Sequence, residues 1–331
     1  MPPIDLVKKV RLSLGTAIET GLVEGVLDPF FTTAFLMTHV KGRCSANCSF
    51  CPQARESTSV SDRLSRISWP EFEFGSFLQR IPKTKTFRRF CIQSLKYLGV
   101  AEDVEDIILE LRHVSDLPIS VSIHPVTEDE MRRFHRAGAT SIGIAFDACT
   151  PELFNSVKGA CRGSSFRWES HTQALRTALD IFGKGQVTTH LMIGLGETEQ
   201  EAATFLLMMK DLEVSVGLFA FTSVRGTSME GMKSPELSSY RRLQVLTYLV
   251  AKGRIKRSQI HAVGSDELRL DLSPGELKEL LSSGEAFQTS GCDGCNRPYY
   301  NERPSGPMYN YCRPLTQDEV NEAIGITGWA R

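Results

Sequence analysis

What the chain lacks narrows the field first. No stretch of its 331 residues approaches the roughly 20 consecutive apolar residues that a membrane-spanning helix needs. The longest apolar runs, Ala34 to Met37 and Gly217 to Phe221, are short and interrupted. The opening residues, MPPIDLVKKVRLSLG, lack the unbroken apolar core of a secretion signal, so a cytoplasmic location and no membrane partner are expected. An excess of one charge is also missing. With 38 basic and 39 acidic residues the net charge is −1, which gives no electrostatic case for nucleic acid as a partner. No low-complexity tract or long linker appears. Cysteine, by contrast, is plentiful. There are nine, an odd number in a chain without an export signal, which argues against a disulfide framework. Three fall close together (Cys44, Cys48, Cys51) and three lie near the C-terminus (Cys292, Cys295, Cys312), which suggests two metal sites. The others, Cys91, Cys149 and Cys161, are scattered, and for Cys149 and Cys161 the default reading is a small buried hydrophobe.

Short β-rich runs alternate with helical stretches. Candidate strands are Ala34–Val40, Phe87–Ser94, Ile119–His124, Ser141–Phe146, Val187–Ile193, Val216–Thr222, Ile260–Val263 and Ala286–Thr289. Thr127 with Glu130, and Ser273 with Glu276, read as helix-opening capping boxes. Repeated strand–helix units imply parallel neighbours joined by crossovers. About eight such units over ~250 residues predict an α/β fold, a (β/α)8 TIM-type barrel, with a partial, open barrel as the close alternative. The expected layout is a helical lead-in over 1–30, a barrel over 31–289 and an irregular, cysteine-containing extension over 290–331, rich in Gly, Pro, Asn and Tyr.

The first cysteine group reads GRCSANCSFCPQA, with three and then two residues between the cysteines, directly after the first candidate barrel strand. Three thiolates are one short of the four that fill a [4Fe–4S] cluster, so one iron stays open to an outside ligand. A structural zinc site would be closed by a fourth ligand, and none lies nearby. A loop after a barrel strand opens at the C-terminal mouth, where barrel active sites form. In this motif the chain resembles the radical S-adenosylmethionine (SAM) superfamily. The resemblance implies that SAM chelates the open iron of a cluster on Cys44, Cys48 and Cys51. Reductive cleavage of SAM then gives a 5′-deoxyadenosyl radical, which abstracts hydrogen from the substrate. It also implies that Phe50 packs against the adenine, that Gln93 and Ser94 lie near the SAM amino group, and that Asp147 faces SAM or substrate. Gly194, Gly196 and Glu197 match a Gly-Leu-Gly-Glu-Thr segment near SAM in the biotin synthase-like branch; a plain strand-to-helix turn is the alternative. Arg162 or Arg167 is a candidate partner of the SAM carboxylate, although a solvated surface role is open for each.

The second group, Cys292-x2-Cys295 with Cys312, is expected to hold an auxiliary iron–sulfur cluster, zinc or free thiols being the alternatives. Its fourth ligand is not evident: an oxygen or nitrogen group, a distant cysteine, a partner chain or the substrate. Over roughly Phe31 to Thr289 the chain resembles the biotin synthase branch. The resemblance stops at that enzyme's internal sulfur-donor cluster, which needs cysteines on the second, third and fifth strands. Cys91 is present on the second, but the third offers Ser120, Ser122 and His124, and the fifth Thr188, Thr189 and His190. The tail from Cys292 to Pro304, CDGCNRPYYNERP, resembles that of two-component lipoyl synthases. That resemblance implies sulfur insertion into a protein-bound octanoyl chain. The implied partners are a homologous radical SAM subunit, an octanoylated carrier protein or peptide, and an electron donor such as ferredoxin or flavodoxin. Methyl transfer, cofactor maturation or a non-catalytic iron–sulfur scaffold are the alternatives.

Overall fold

The computed structural model describes residues 7–27, 30–263, 267–302 and 305–329. The chain opens with β1 (Lys9–Leu12), α1 (Leu14–Glu19), β2 (Thr33–Thr38), a small hairpin of β3 (Arg63–Leu64) and β4 (Ile67–Ser68), then β5 (Glu71–Glu73) and α2 (Phe74–Leu78). Strand–helix repeats follow: β6 (Arg89–Gln93), α3 (Val100–Val114), β7 (Ile119–Ser122), α4 (Glu128–Ala137), β8 (Ser141–Gly143), α5 (Pro151–Val157) and α6 (Trp168–Phe182). The run continues through β9 (Val187–Ile193), α7 (Glu199–Asp211), β10 (Ser215–Ala220) and α8 (Leu237–Ala251). The chain then forms β11 (Ile260–Val263), β12 (Glu267–Leu270), α9 (Pro274–Leu281) and α10 (Gln317–Ile326).

Eight strands form one sheet in the order β10-β9-β8-β7-β6-β2-β1-β5. From β2 to β10 the neighbours are parallel; β1 joins β2, and β5 joins β1, antiparallel. Alternation along the strands sorts the two faces. Phe90 and Ile92 of β6, and Ile119 and Val121 of β7, are fully buried in the apolar core. Their neighbours Cys91, Gln93, Ser120 and Ser122 line an interior cavity. The helices begin where their side chains dictate. Thr127–Glu130, Thr198–Glu201, Ser273–Glu276 and Thr316–Glu319 each form a reciprocal capping box.

Six parallel strands, not eight, make this a partial barrel. Ile260–Val263 is a strand, but it pairs with β12 in a separate antiparallel hairpin. Of Ala286–Thr289, the first two residues lie in a 3₁₀ turn, Glu285–Phe287, entered through the left-handed Gly284, and Gln288 makes only an isolated bridge to Tyr311. The lead-in carries a strand as well as a helix: β1 buries Val10 and Leu12 against β2. The extension is irregular except for α10. No helix among the described residues is long and apolar enough to cross a membrane.

The tail supplies wall where the sheet is open. Residues 290–301 track the free edge of β10. Ser290 Oγ accepts from the Leu218 amide at 2.9 Å, the Arg297 guanidinium lies 4.1 Å from the centre of the Phe219 ring, and Thr222 Oγ1 donates to the Asn301 carbonyl at 3.2 Å. The approach is close at its start: a Cβ on Gly291, which sits at φ 117°, would lie 3.3 Å from Gly217 Cα. On the other side Asn296 Oδ1 accepts from the Thr32 amide and hydroxyl at 3.2 and 2.9 Å, just before β2.

Candidate active site

The loop after β2 holds Cys44, Cys48 and Cys51 by backbone bonds. The Cys44 amide donates to the Gln53 carbonyl, and the Cys51 amide to the Cys48 carbonyl. The Gln53 side chain donates to the Ser61 and Arg63 carbonyls, both at 2.6 Å, which ties the loop to the β3–β4 hairpin. All three cysteines face an interior cavity of about 560 Å³. Burial pushes the Cys48 thiol up to about 12, with the Lys158 charge opposing the rise. Burial also raises Cys51, followed by repulsion from Cys48 and Cys44. Such thiols do not all ionise together unless cations lie between them, and iron supplies that charge. The Lys96 amide donates to Cys44 Sγ at 3.1 Å, the kind of contact that tunes a cluster's potential.

Among the described residues no three His, Cys, Asp or Glu side chains are placed to hold a single metal ion. Three thiols facing one cavity are the donor set of a four-iron cluster with one iron left open. A polar floor lies beside it. Ser94 Oγ is buried without a hydrogen-bond partner and lines the cavity, available to an incoming polar ligand. Asp147 follows β8 in a left-handed turn at φ 65° and pairs with Lys158 at 2.6 Å. His124 and His190 also line the cavity; burial, chiefly, holds each imidazole down to about 4, so both are neutral near pH 7.

Several expected site residues gather here and several do not. Phe50, Gln93, Ser94, Asp147, Cys292 and Cys295 line the same cavity as the first cysteines. Gln93 is engaged with a sulfur, its amide donating to Cys91 Sγ at 2.9 Å. Arg162 does not line the cavity. It braces the cysteine loop from outside, bonding Ser228 Oγ at 2.7 Å and the Asn47 carbonyl at 3.4 Å. Arg167 turns to nearby backbone, donating to the Ser164 and Phe166 carbonyls. Gly194, Gly196 and Glu197 also lie outside the cavity lining. Glu197 closes its own turn by accepting from the Gly194 and Leu195 amides at 2.6 and 3.0 Å. Glycine is needed at 194 because φ is 101° and a Cβ would stand 2.8 Å from Pro235 Cδ. Cys312 is absent from the lining, and Cys161 is exposed rather than buried.

Cys91, matched in the sequence to the second-strand position but not counted among the metal ligands, faces the same cavity as the tail cysteines. Its position, inward on the second parallel strand, was the available signal. The cavity also has apolar lining from Leu14, Ile18, Leu27 and Phe31 ahead of β2 and from Phe35 on it.

Residues 39–209, just over half of the chain, match the radical SAM superfamily model. Among curated proteins, the chain is 24% identical over 217 residues to the biotin synthase of Persephonella marina, covering 64% of this chain and 60% of that one. It is 26% identical over 320 residues to the biotin synthase of Pelotomaculum thermopropionicum, covering 87% and 94%. The chain thus spans less than two thirds of the Persephonella enzyme. Solved structures share the fold. Methylornithine synthase (PylB) superposes with a TM-score of 0.52 at 15% identity, covering 72% of this chain and 66% of that one. The FeFe-hydrogenase maturase HydG from Carboxydothermus hydrogenoformans superposes with a TM-score of 0.54 at 13% identity, covering 95% and 70%. With its three-cysteine loop at the mouth of a partial barrel, the chain belongs to the radical SAM superfamily.

Proposed function

We propose that this radical SAM enzyme inserts sulfur into a protein-bound octanoyl chain, acting together with a homologous radical SAM subunit. The observation that carries the reading is a single cavity lined by thiols from two distant parts of the chain and by a group of apolar side chains. An acyl chain needs an apolar path, and Leu14, Ile18, Leu27, Phe31 and Phe35 offer one.

In this reading Cys44, Cys48 and Cys51 hold the [4Fe–4S] cluster and leave one iron for SAM. Bound together, cluster and SAM supply one-electron reductive cleavage and a primary carbon radical able to break an unactivated C–H bond. Phe50 packs on the adenine, while Ser94 and Asp147 present polar atoms to the rest of SAM. Neutral His124 and His190 keep the interior free of titrating charge at neutral pH. Cys292 and Cys295 would hold an auxiliary iron–sulfur cluster, which when bound would be the source of the sulfur, and a ferredoxin or flavodoxin would be the electron donor.

The test begins with anaerobic reconstitution using iron and sulfide, followed by SAM, a strong reductant, an octanoyl-lysyl peptide and the homologous subunit. Expected are 5′-deoxyadenosine and thiolated octanoyl peptide, with both lost on Cys48→Ala. 5′-Deoxyadenosine without any sulfur in the peptide would overturn the substrate reading and leave the radical chemistry standing.

A further inference from the structure

The second thiol site is built from the barrel wall and the tail together. Cys91 lies on β6, in register with Ser120 of β7, so both side chains point into the barrel at the same level. Ser120 Oγ lies 3.7 Å from Cys292 Sγ, and Thr188 Oγ1 of β9 lies 4.0 Å from the same sulfur. The Cys292-x2-Cys295 turn, closed by the Cys295 amide on the Cys292 carbonyl, therefore sits inside the barrel against β7 and β9, and Arg89 of β6, two residues before Cys91, donates to the Asp293 carbonyl within the turn.

Two guanidiniums surround these sulfurs. Arg89, 6% exposed, anchors the turn by donating to the Asp293 carbonyl and holds the Ser120 hydroxyl. Its Nε is buried and has no hydrogen-bond partner. Arg297 reaches Cys295 Sγ at 3.9 Å. Buried cations need a counter-charge, and a thiolate-ligated cluster is anionic. Cys312 stands apart. It does not line the cavity, and its carbonyl meets the Asn296 amide at 3.5 Å.

We propose that Cys91, Cys292 and Cys295 together ligate the auxiliary iron–sulfur cluster inside the barrel, with Arg89 and Arg297 as its counter-charges, and that Cys312 is not a ligand. The proposal rests on the auxiliary-cluster part of the reading above and not on the octanoyl substrate. The site opens into the same cavity as Cys44, Cys48 and Cys51, so one substrate in that cavity reaches both.

The full chain, reconstituted anaerobically, tests this by iron and sulfide counts and Mössbauer spectra. Native protein should hold about eight irons in two four-iron clusters. Cys91→Ala should drop this to about four while the circular-dichroism spectrum and the Mössbauer signature of the first cluster are kept, which shows that the fold and first cluster survive. Cys312→Ala should keep about eight. Retention of both clusters by Cys91→Ala, or loss of the second on Cys312→Ala, overturns the ligand set. A Cys44/Cys48/Cys51→Ala variant separates the two claims. If it binds no iron, the auxiliary-cluster reading itself fails. Iron that it binds and loses on adding Cys91→Ala supports the proposal; iron that survives Cys91→Ala overturns the ligand set alone.

Discussion

At the scale of residues, burial decides which groups are charged. His171 is fully buried and caged by the rings of Phe146, Phe154 and Phe166, with Nδ1 2.9 Å from the Arg167 carbonyl. Burial, with the nearby Lys158 charge, holds it down to about 3, and His124 sits at about 4. In the unfolded chain both titrate near 6.5. Below that pH the unfolded state binds protons that the folded state refuses, so stability falls as pH drops from about 6.5 toward 4 and levels off near the folded values. Urea midpoints at pH 7.5 and 5 should show this loss, and His171→Leu should shrink the difference between them. An unchanged difference would mean that the imidazole is not held neutral. The Lys158–Asp147 pair, 2.6 Å apart with side chains 7% and 13% exposed, makes the opposite demand. Lys158→Met strands a carboxylate and should cost about 3–5 kcal/mol by denaturant titration. A loss below about 1 kcal/mol would mean that water reaches Asp147.

At the scale of elements, the tail is held by α8. Arg241, 2% exposed, donates to the Tyr309 carbonyl at 2.6 Å and to the Met308 carbonyl, and Gln244 Nε2 donates to the Tyr309 carbonyl at 2.8 Å. Tyr240 OH donates to Asn310 Oδ1 at 3.1 Å. Arg241→Ala removes several of these bonds at once. Amide exchange over residues 287–311 should rise at least about tenfold, while β6 and β9 keep their protection. Equal loosening of tail and barrel would show that the two unfold as one. The repeats were legible in the sequence because alternation and capping boxes are local signals, and Thr127–Glu130 and Ser273–Glu276 formed as expected. The cysteine loop was legible for the same reason. Where Arg162, Glu197 and Cys312 sit was not, because each is held by partners that spacing does not reveal: Ser228, the amides of its own turn, and Asn296. Ile260–Val263 has the composition of a strand, but composition does not say which sheet a strand joins. Cys91 needed the register of β6 against β7, a long-range fact.

At the scale of the whole molecule, metal and fold should be linked. If the loop, strand and tail thiols hold iron as proposed, iron binding bridges segments that the unfolded chain holds apart. Anaerobic chelation should lower the melting temperature and make residues 290–302 cleavable by protease before the barrel. Identical melting with and without iron would show that the cavity is fully preformed. The wall made by the tail has a further consequence in time. Thr32 and Asn296 meet across 264 positions of sequence, so that side of the cavity stays open until nearly the whole chain has been synthesised. Contacts this distant form late and slowly. During translation the three-cysteine loop is therefore complete long before its surroundings. The cell meets a half-built interior that invites iron or oxidant before residues 290–301 arrive to cover it.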